Sequence, residues 1–369
     1  MIKDRYAMWY TNPMEKTKLG IIFGGRSGEH EISILSAASV MEEIDKSRYE
    51  IVPFGITKHG EWRLVETDLK GLVSLEDDRI IKIFDNAKPV TLADFDAMTD
   101  FAFPVLHGPF GEDGTIQGLF EMLGKPYAGC GVAAAAISMD KIFTKELWIR
   151  EELPVCAHTH TTSTFIERIG DKVTGLRAEA DRIEKELDYP IFVKPANMGS
   201  SVGVTKVTCT KDLANAIELA LRYDKRVICE QMVVGRELEV GVIGNGEPLV
   251  SAVGEILSDS DYYDYDSKYR GGSTKLSIPA TLHPEVAAEI ERLAKRAYSA
   301  LGGEGFARID LFYNEGAGEV YLSEMNAIPG FTKYSMFPLL WGAKGVSYAE
   351  LIERIIGLGY ERHNAAHRR

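Results

Sequence analysis

The residues with the clearest capacity for chemistry lie in the stretch GFARIDLFYNEGAGEVYLSEMNAIPGFT, which begins at position 305. Two apolar strands flank a turn rich in Gly and Asn, which predicts a β-hairpin. If the turn centres on the alanine of GAG, Asp310 lies opposite Glu324 and Arg308 lies opposite Asn326. Side chains two residues apart in a strand share a face, so all four lie together. Facing carboxylates repel unless a cation lies between them, and hard oxygen ligands suit Mg²⁺. The hairpin therefore predicts a magnesium site.

A charged hairpin face exposed to solvent is the alternative interpretation of this stretch. The sequel IPGFT, residues 328–332, favours the metal site, because such a turn can present backbone N–H groups beside the ions. The opposite face of the hairpin is predicted to be apolar. Its predicted members are Ile309, Leu311, Tyr321 and Met325.

Two lysines and a glycine-serine loop indicate a phosphate site. Lys194 ends the apolar strand 189–194, where a charge is costly without a partner. The segment NMGSSVG follows at 197–203, and its small residues allow a phosphate to approach the backbone. It matches neither a P-loop nor a Rossmann fingerprint, and by itself such a segment is typical of an ordinary turn. A second lysine, Lys141, starts a predicted helix, where a solvated side chain is the alternative.

Two acidic residues lie at the ends of neighbouring apolar strands. Glu230 ends the strand 227–230, and Glu237 begins the next strand. Acids in these places can bind the amino group of an adenine and a ribose hydroxyl. Solvation of the strand ends explains them equally well, so both interpretations stay open.

The elements that must position these residues alternate between strands and helices, which indicates an α/β (α+β) chain. Strands are predicted at 19–23, 50–56, 101–106, 189–194, 203–207, 227–230, 237–243, 248–253, 305–313 and 319–325. Helices are predicted at 32–44, 115–123, 132–151, 174–187, 211–222, 284–301 and 348–358. We divide the chain into an N-terminal extension (1–18), an α/β domain (19–131), a central domain (132–233) and a C-terminal domain (234–369) with a loop at 258–273. The final ERHNAAHRR is predicted to be a solvated tail.

Composition narrows the classes of partner. The formal net charge of −13 argues against a nucleic-acid-binding face, although a few lysines and a bound metal can still hold a nucleotide. No apolar run is long enough for a membrane helix, and the first residues have no signal-peptide pattern. The four cysteines are widely spaced, as in a reducing compartment, so we expect a cytoplasmic protein.

Several motifs, taken in order, resemble those of the D-alanine–D-alanine ligases of the ATP-grasp superfamily. They are GGRSGEHEIS, LHGPFGEDGTIQG, SMDK, YPIFVKPANMGSSVG, YDYDSKY, RIDLF and EMNAIPGFTKYSMFP. The match extends from about residue 19 to residue 359. The resemblance implies three α/β-type domains, with ATP held between the sheets of the central and C-terminal domains. It also implies D-alanine and ATP as substrates, two Mg²⁺ ions that Mn²⁺ can replace, and a homodimer. A monovalent-cation requirement is left open.

The resemblance also assigns roles to individual residues. ATP would be bound by Lys141, Lys194, Ser200, Ser201, Glu230, Gln231, Val233, Glu237, Lys268 and Asn326. The metal ions would be held by Asp310, Glu324 and Asn326. The substrates would be contacted by Glu29, His107, Arg308, Gly330, Ser335 and Met336.

Within this assignment, Glu29 would hold the amino group of the first D-alanine, and Ser335 beside Met336 would position the carboxylate of the second. Arg308 and the Gly330 N–H would stabilise an oxyanion, and His107 would lie near the attacking amine.

The YDYDSKY segment, residues 263–269, is implied to be part of a mobile loop that closes the site. Lys268 would approach the γ-phosphate, while Tyr269, Ser200 and Glu29 would form a hydrogen-bonded link. From composition alone, a solvated loop with scattered aromatic residues is the alternative.

The implied reaction begins when the carboxylate of the first D-alanine attacks the γ-phosphorus and forms an acyl phosphate. The amine of the second D-alanine then displaces phosphate. The main alternative is a D-alanyl-D-serine or D-alanyl-D-lactate ligase of the glycopeptide-resistance type. Lactate-forming relatives generally lack the YDYxxKY loop, and resistance enzymes often carry Arg at the position of Met336. Another ATP-grasp enzyme and a non-catalytic ATP-binding regulator are further alternatives. Ala327 departs from the family, which commonly has Thr there.

Overall fold

Three β-sheets organise the protein in a computed structural model that describes residues 15–257 and 275–367. The strands are β1 Thr17–Gly24, β2 Tyr49–Ile56, β3 Trp62–Leu64, β4 Lys88–Pro89, β5 Phe101–Pro104, β6 His158–Thr162, β7 Ile191–Pro195, β8 Thr205–Val207, β9 Arg226–Gln231, β10 Arg236–Ile243, β11 Leu249–Leu257, β12 Lys275–Ser277, β13 Phe306–Asn314 and β14 Glu319–Asn326. The helices are α1 His30–Glu43, α2 Asp78–Lys82, α3 Leu92–Met98, α4 Thr115–Leu123, α5 Val132–Met139, α6 Lys141–Arg150, α7 Ser163–Ile169, α8 Lys172–Glu186, α9 Thr210–Ala220, α10 Pro284–Ala300, α11 Met336–Ala343 and α12 Tyr348–Ala366.

The strand pairings separate a mixed sheet, which contains parallel pairs, from two antiparallel sheets. The first sheet has the order β4-β3-β2-β1-β5, with β1 parallel to both β2 and β5. The second is β6-β9-β7-β8, and the third is β12-β11-β10-β13-β14, both antiparallel throughout. The α/β (α+β) class is confirmed.

Hydrophobic cores connect the parts of the chain. The helices α5 and α6 contribute Ala135 and Trp148 to the core beneath the third sheet. The last helix, α12, packs Leu351 and Ile355 into the core of the first sheet. The proposed domain limits at 131/132 and 233/234 stay a prediction, since these cores extend across them. In the described part of the chain no helix is long and apolar enough to cross a membrane.

Two predictions about elements were wrong. The helix predicted at 132–151 is two helices, because Asp140 interrupts it and caps α6 by accepting the N–H groups of Ile142 and Phe143. The tail predicted to be solvated continues α12 as far as Ala366. Its Arg362 is buried and lies 3.9 Å from the centre of the Tyr127 ring.

Candidate active site

The predicted hairpin exists, and its polar residues face each other as predicted. Arg308 pairs with Asn326 across the strands, and Asp310 pairs with Glu324. A β-bulge follows, after which Leu311 pairs with Leu322. The bulge changes which face the earlier residues of β14 occupy. The prediction that Tyr321 joins the apolar face was wrong, because Leu322, only 1% exposed, takes that place.

Arg308 and Asp310 form the electrostatic centre of this face. The guanidinium donates to both carboxylate oxygens of Asp310, with each N–O distance 2.6 Å. Its Nε also lies 3.1 Å from Glu239, a buried acid of β10 that sequence reasoning missed. Burial opposes the charge of Arg308, but Asp310 and Glu239 hold its pKa well above the ordinary value. Asn326 donates to Asp310 at 3.0 Å. The available signal for Glu239 was the segment RELEV of β10, in which two acids alternate with apolar residues.

Asp310, Glu324 and Asn326 fit a magnesium ion by chemistry, because they offer two carboxylates and an amide oxygen on one face. Within residues 15–257 and 275–367 no group of three or more His, Cys, Asp and Glu side chains is arranged to hold a metal ion. Mg²⁺ does not need such a group, because it is usually bound by one or two carboxylates, and water or phosphate oxygens supply its other ligands.

The lysines approach this face from the central part of the chain. The Lys141 ammonium lies 3.4 Å from Glu324 and donates to the carbonyl of Met198 at 2.8 Å. Lys194 donates to Glu230 at 2.5 Å. A third lysine, Lys145, was missed by the sequence reasoning although it lies one helical turn after Lys141.

Lys145 is 1% exposed and lies 3.0 Å from the other carboxylate oxygen of Glu230. It also donates to the Ser323 carbonyl at 3.3 Å, at the bulge of β14. Burial alone would raise the pKa of Glu230, but Lys145 and then Lys194 hold that pKa well below its usual range. One carboxylate thus faces two ammonium groups, so Glu230 keeps one cationic partner if the other turns to a phosphate.

The glycine-serine loop has a backbone shape that most residues avoid. Ser200 and Ser201 have φ angles of +51° and +58°, in the left-handed region. Successive N–H groups in a turn can form an anion-binding concavity, which makes this loop a candidate phosphate site. Strain of this kind is found at functional sites.

Glu29 lies where the first glycine turn meets α1, and it is 8% exposed. Its carboxylate lies so close to Gly108 that a Cβ there would come within 2.9 Å. Gly108 also has a φ of +76°, so two observations explain why this position carries glycine. Gly199 faces the same carboxylate.

His107 and Glu112 lie under this region. Burial lowers the pKa of His107, an effect that Glu29 partly opposes. Burial, with Glu29 nearby, raises the pKa of Glu112 to about 8. Glu112 was not predicted as a site residue, although it belongs to the quoted motif LHGPFGEDG.

One cavity of about 410 Å³ brings most of the predicted residues together. Its lining includes Glu29, His107, Lys141, Ser200, Arg308, Glu324, Asn326, Gly330, Ser335 and Met336. Asp310 is joined to this lining through Arg308 and Asn326. Burial alone would lower the pKa of Lys194, but the negative charges of Glu230 and then Glu324 raise it. The attraction of Glu324 connects Lys194 to the residues that line the cavity.

The remaining predicted residues are more scattered. Gln231 ends β9, where its N–H donates to the Ala157 carbonyl at 2.8 Å, and Val233 follows in the link to β10. Glu237 lies in β10 opposite Phe312. Lys268 and Tyr269 lie outside the described residues.

The comparisons with known proteins agree along the chain. The family described as "D-ala D-ala ligase N-terminus" matches residues 18–130, and "D-ala D-ala ligase C-terminus" matches residues 159–357. A D-alanine–D-alanine ligase of Geobacillus thermodenitrificans is 45% identical over 358 residues, covering 94% of this chain and 96% of the relative. One from Thermoanaerobacter sp. is 44% identical over 361 residues, with coverages of 95% and 98%.

Solved structures show the same similarity. The D-alanine–D-alanine ligase of Coxiella burnetii has a TM-score of 0.80 at 31% identity, covering 95% of this chain and 96% of its own. The VanG D-Ala:D-Ser ligase of Enterococcus faecalis has a TM-score of 0.82 at 35% identity, with coverages of 94% and 100%.

Proposed function

This chain belongs to the D-alanine–D-alanine ligase family, and on that premise we propose which of its residues carry each step of the reaction. It is an ATP-dependent ligase that joins two D-alanine molecules, and the dipeptide supplies peptidoglycan synthesis. The fold is the ATP-grasp fold of its structural neighbours. The observation that carries the assignment of roles is one cavity, in which basic, acidic and backbone groups from segments beside all three sheets meet.

ATP binds between the second and third sheets in this proposal. Lys141 and Lys194 approach its phosphates, and the strained loop at Ser200 and Ser201 supplies N–H and hydroxyl donors. Glu230, Glu237 and the backbone from Gln231 to Val233 contact the adenosine. Charge supports the proposal, because Glu230 has two ammonium partners and can keep Lys145 when Lys194 turns to the triphosphate.

The family generally uses magnesium, and we assign it to Asp310, Glu324 and Asn326. When bound, the metal offsets negative charge on the triphosphate. Two ions, replacement by Mn²⁺ and any monovalent-cation requirement belong to the proposal. So do a homodimer and a cytoplasmic location, which the family resemblance and the cysteine pattern favour.

In the first step Glu29 holds the ammonium group of the first D-alanine, and the substrate carboxylate attacks the γ-phosphorus. A new O–P bond forms while the bond to the β-phosphate oxygen breaks, and ADP leaves with that electron pair. Arg308 and the lysines offset the charge that develops, which is most of what an enzyme contributes to phosphoryl transfer. Lys268, together with a link of Tyr269, Ser200 and Glu29, closes the site against water in this proposal.

In the second step the amine of the second D-alanine attacks the carbonyl carbon of the acyl phosphate. A C–N bond forms, and the carbonyl electron pair moves to an oxygen stabilised by Arg308 and the Gly330 N–H. The carbonyl re-forms as the C–O bond breaks, phosphate leaves with that electron pair, and the extra proton of the nitrogen passes to the departing phosphate. Ser335 and Met336 hold the carboxylate end of the second substrate.

The test measures ADP release with D-alanine, with L-alanine and without amino acid, each with and without magnesium. We expect turnover only with D-alanine and magnesium. Equal ADP release without amino acid, or none with D-alanine, would contradict the assignment.

D-Serine and D-lactate are then added to limiting D-alanine, and the products are separated by mass. The resistance-type alternative predicts that the mixed product dominates. Met336, where resistance enzymes often have Arg, favours D-alanine as the second substrate.

A further inference from the structure

The turn that carries Gly330 is held from outside its own sheet. It follows β14 in the C-terminal part of the chain, yet three side chains of the first α/β unit bond to its backbone. The N–H of Ile328 donates to Glu112 at 3.1 Å, and its carbonyl is 2.9 Å from Nδ1 of His107. The N–H of Phe331 donates to Ser36 at 3.4 Å.

The hydrogen bonds determine which nitrogen of His107 carries the proton. A carbonyl only accepts, so Nδ1 must carry the hydrogen that bonds to Ile328. The neutral ring then accepts at Nε2, and the hydroxyl of Ser36, 2.9 Å away, donates to it. Both ring nitrogens are therefore hydrogen-bonded, and His107 links the Ser36 hydroxyl to the Ile328 carbonyl of the turn.

Glu112 links the same turn to Gly108 through its two carboxyl oxygens. One carboxyl oxygen accepts the N–H of Ile328, and the other accepts the N–H of Gly108 at 2.6 Å. Gly108 directly follows His107, so Glu112 and His107 approach Ile328 from the same loop. Both backbone groups of Ile328 are thus held by one short segment.

The donors of the turn can be counted. Pro329 has no N–H. The N–H groups of Ile328 and Phe331 go to Glu112 and Ser36, and that of Thr332 goes to the Ser335 hydroxyl at 3.1 Å. Among the residues that the structure describes, the N–H of Gly330 has no hydrogen-bond partner, and Gly330 lines the cavity.

We propose that Glu112 and Ser36 are positioning residues that aim the Gly330 N–H at the carbonyl oxygen of the acyl phosphate. This rests on the proposed function, in which Gly330 stabilises the oxyanion of the second step. Both oxygens of Glu112 accept backbone N–H groups, and the Ser36 hydroxyl bonds His107 and the Phe331 N–H, so we assign neither side chain a contact with a reacting atom. Their loss should therefore slow formation of the peptide bond and spare formation of the acyl phosphate.

The test compares E112Q and S36A with the full-length enzyme in a single turnover. Rapid quenching measures ADP, which reports the first step, and D-alanyl-D-alanine, which reports the second. We expect ADP formation within about threefold of the unchanged enzyme and dipeptide formation slower by about tenfold to a hundredfold, since small misplacement of a preorganised donor costs this much.

S33A is the matched control. Ser33 is equally buried in α1 and also bonds two backbone groups, the Gly24 N–H at 2.8 Å and the Val105 carbonyl at 2.6 Å. Both lie within the first unit, so S33A should show no separation of the two rates. If E112Q is not recovered folded, S36A, which removes one hydroxyl oxygen in a helix, decides alone.

Equal slowing of both steps in E112Q and S36A, or no slowing in either, would overturn the proposal. Failure of the unchanged enzyme to form ADP with D-alanine would instead reject the proposed function. The two failures are therefore distinguishable.

Discussion

A lysine that reaches no substrate can decide how tightly ATP binds. Lys145 is enclosed, whereas the side chain of Lys194 is 19% exposed and faces the cleft. Both hold Glu230. If Lys194 moves to a phosphate, Lys145 keeps the buried carboxylate compensated, which avoids the cost of an unpaired internal charge.

We therefore expect K145M to lower the free energy of unfolding by about 1–3 kcal/mol, since a charged hydrogen-bond partner is lost while Lys194 stays. The KM for ATP should rise about tenfold, or about 1.4 kcal/mol, because Lys194 becomes the sole counter-charge of Glu230. Urea unfolding and steady-state kinetics measure the two effects.

K125M is the control for this substitution. Lys125 is also largely buried, lies 2.8 Å from Asp96, and belongs to the first unit away from the lysine cluster. It should lose stability without a change in the KM for ATP. An unchanged KM in K145M would show that Lys145 serves stability alone.

Among the elements, the start of α6 positions one of the phosphate lysines. Asp140 accepts the N–H groups of Ile142 and Phe143, both at 3.1 Å, and also pairs with Arg226. Asn197, which begins the glycine-serine loop, donates its side-chain amide N–H to the Asp140 carboxylate at 3.1 Å. One carboxylate thus holds the helix end beside Lys141 and the entry to the loop.

D140A should lower the free energy of unfolding by at least about 2 kcal/mol, through the lost cap and the lost buried ion pair. D140A should also raise the KM for ATP, because the hydrogen bonds that hold the start of α6 beside Lys141 and the entry to the glycine-serine loop are lost. D140N keeps an efficient cap and should retain more stability.

D171A is the matched control, since Asp171 caps α8 in the same way, by accepting the Thr174 N–H at 3.0 Å, but is exposed. It should cost about 1 kcal/mol without a change in KM. If D140A and D171A show the same KM, the cap does not position the phosphate lysine.

The hairpin shows how far sequence reasoning extends at this scale. Strand periodicity was enough to predict that Asp310 faces Glu324. The bulge at Ser323 could not be predicted, because one extra residue in a strand shifts the alternation of faces without a sequence signal. Tyr321 was misplaced for that reason.

The other omissions have related causes. Lys145 and Glu239 are charged residues in buried positions, where composition favours exposure and only tertiary contacts reverse the expectation. Glu112 bonds to Ile328, 216 positions away in the chain, and such a pairing has no local signal. In the extension of α12, Arg362 bonds the Tyr127 carbonyl of the first unit at 3.0 Å, which is again a contact between distant parts of the chain.

At the scale of the whole molecule, the site lies where all three sheets meet, so no single unit contains it. Glu29 and His107 lie beside the first sheet, Lys194 lies in the second, and the third contributes the acidic hairpin, while Lys141 comes from α6, which packs against the third sheet. Ligands that bridge these parts must stabilise the folded chain as a whole, because they bind a geometry that the unfolded chain lacks.

Magnesium and ATP together should therefore raise the midpoint of thermal unfolding more than ATP with EDTA does. At a ligand concentration of about 100 times Kd, the stabilisation is about 2.7 kcal/mol. D310N should lose the magnesium-dependent part of the shift and keep the part due to ATP alone, each measured against its own ligand-free midpoint.

That internal reference is needed because Asp310 also bonds Arg308, so D310N weakens the ligand-free protein as well. E319Q changes an exposed acid at the far end of the same hairpin and should behave like the unchanged enzyme. A magnesium-dependent shift that survives in D310N would place the ion elsewhere. The hairpin would then be a structural ion-pair surface, with Arg308 and Glu239 as its core, and the phosphate charge would have to be offset by lysines alone.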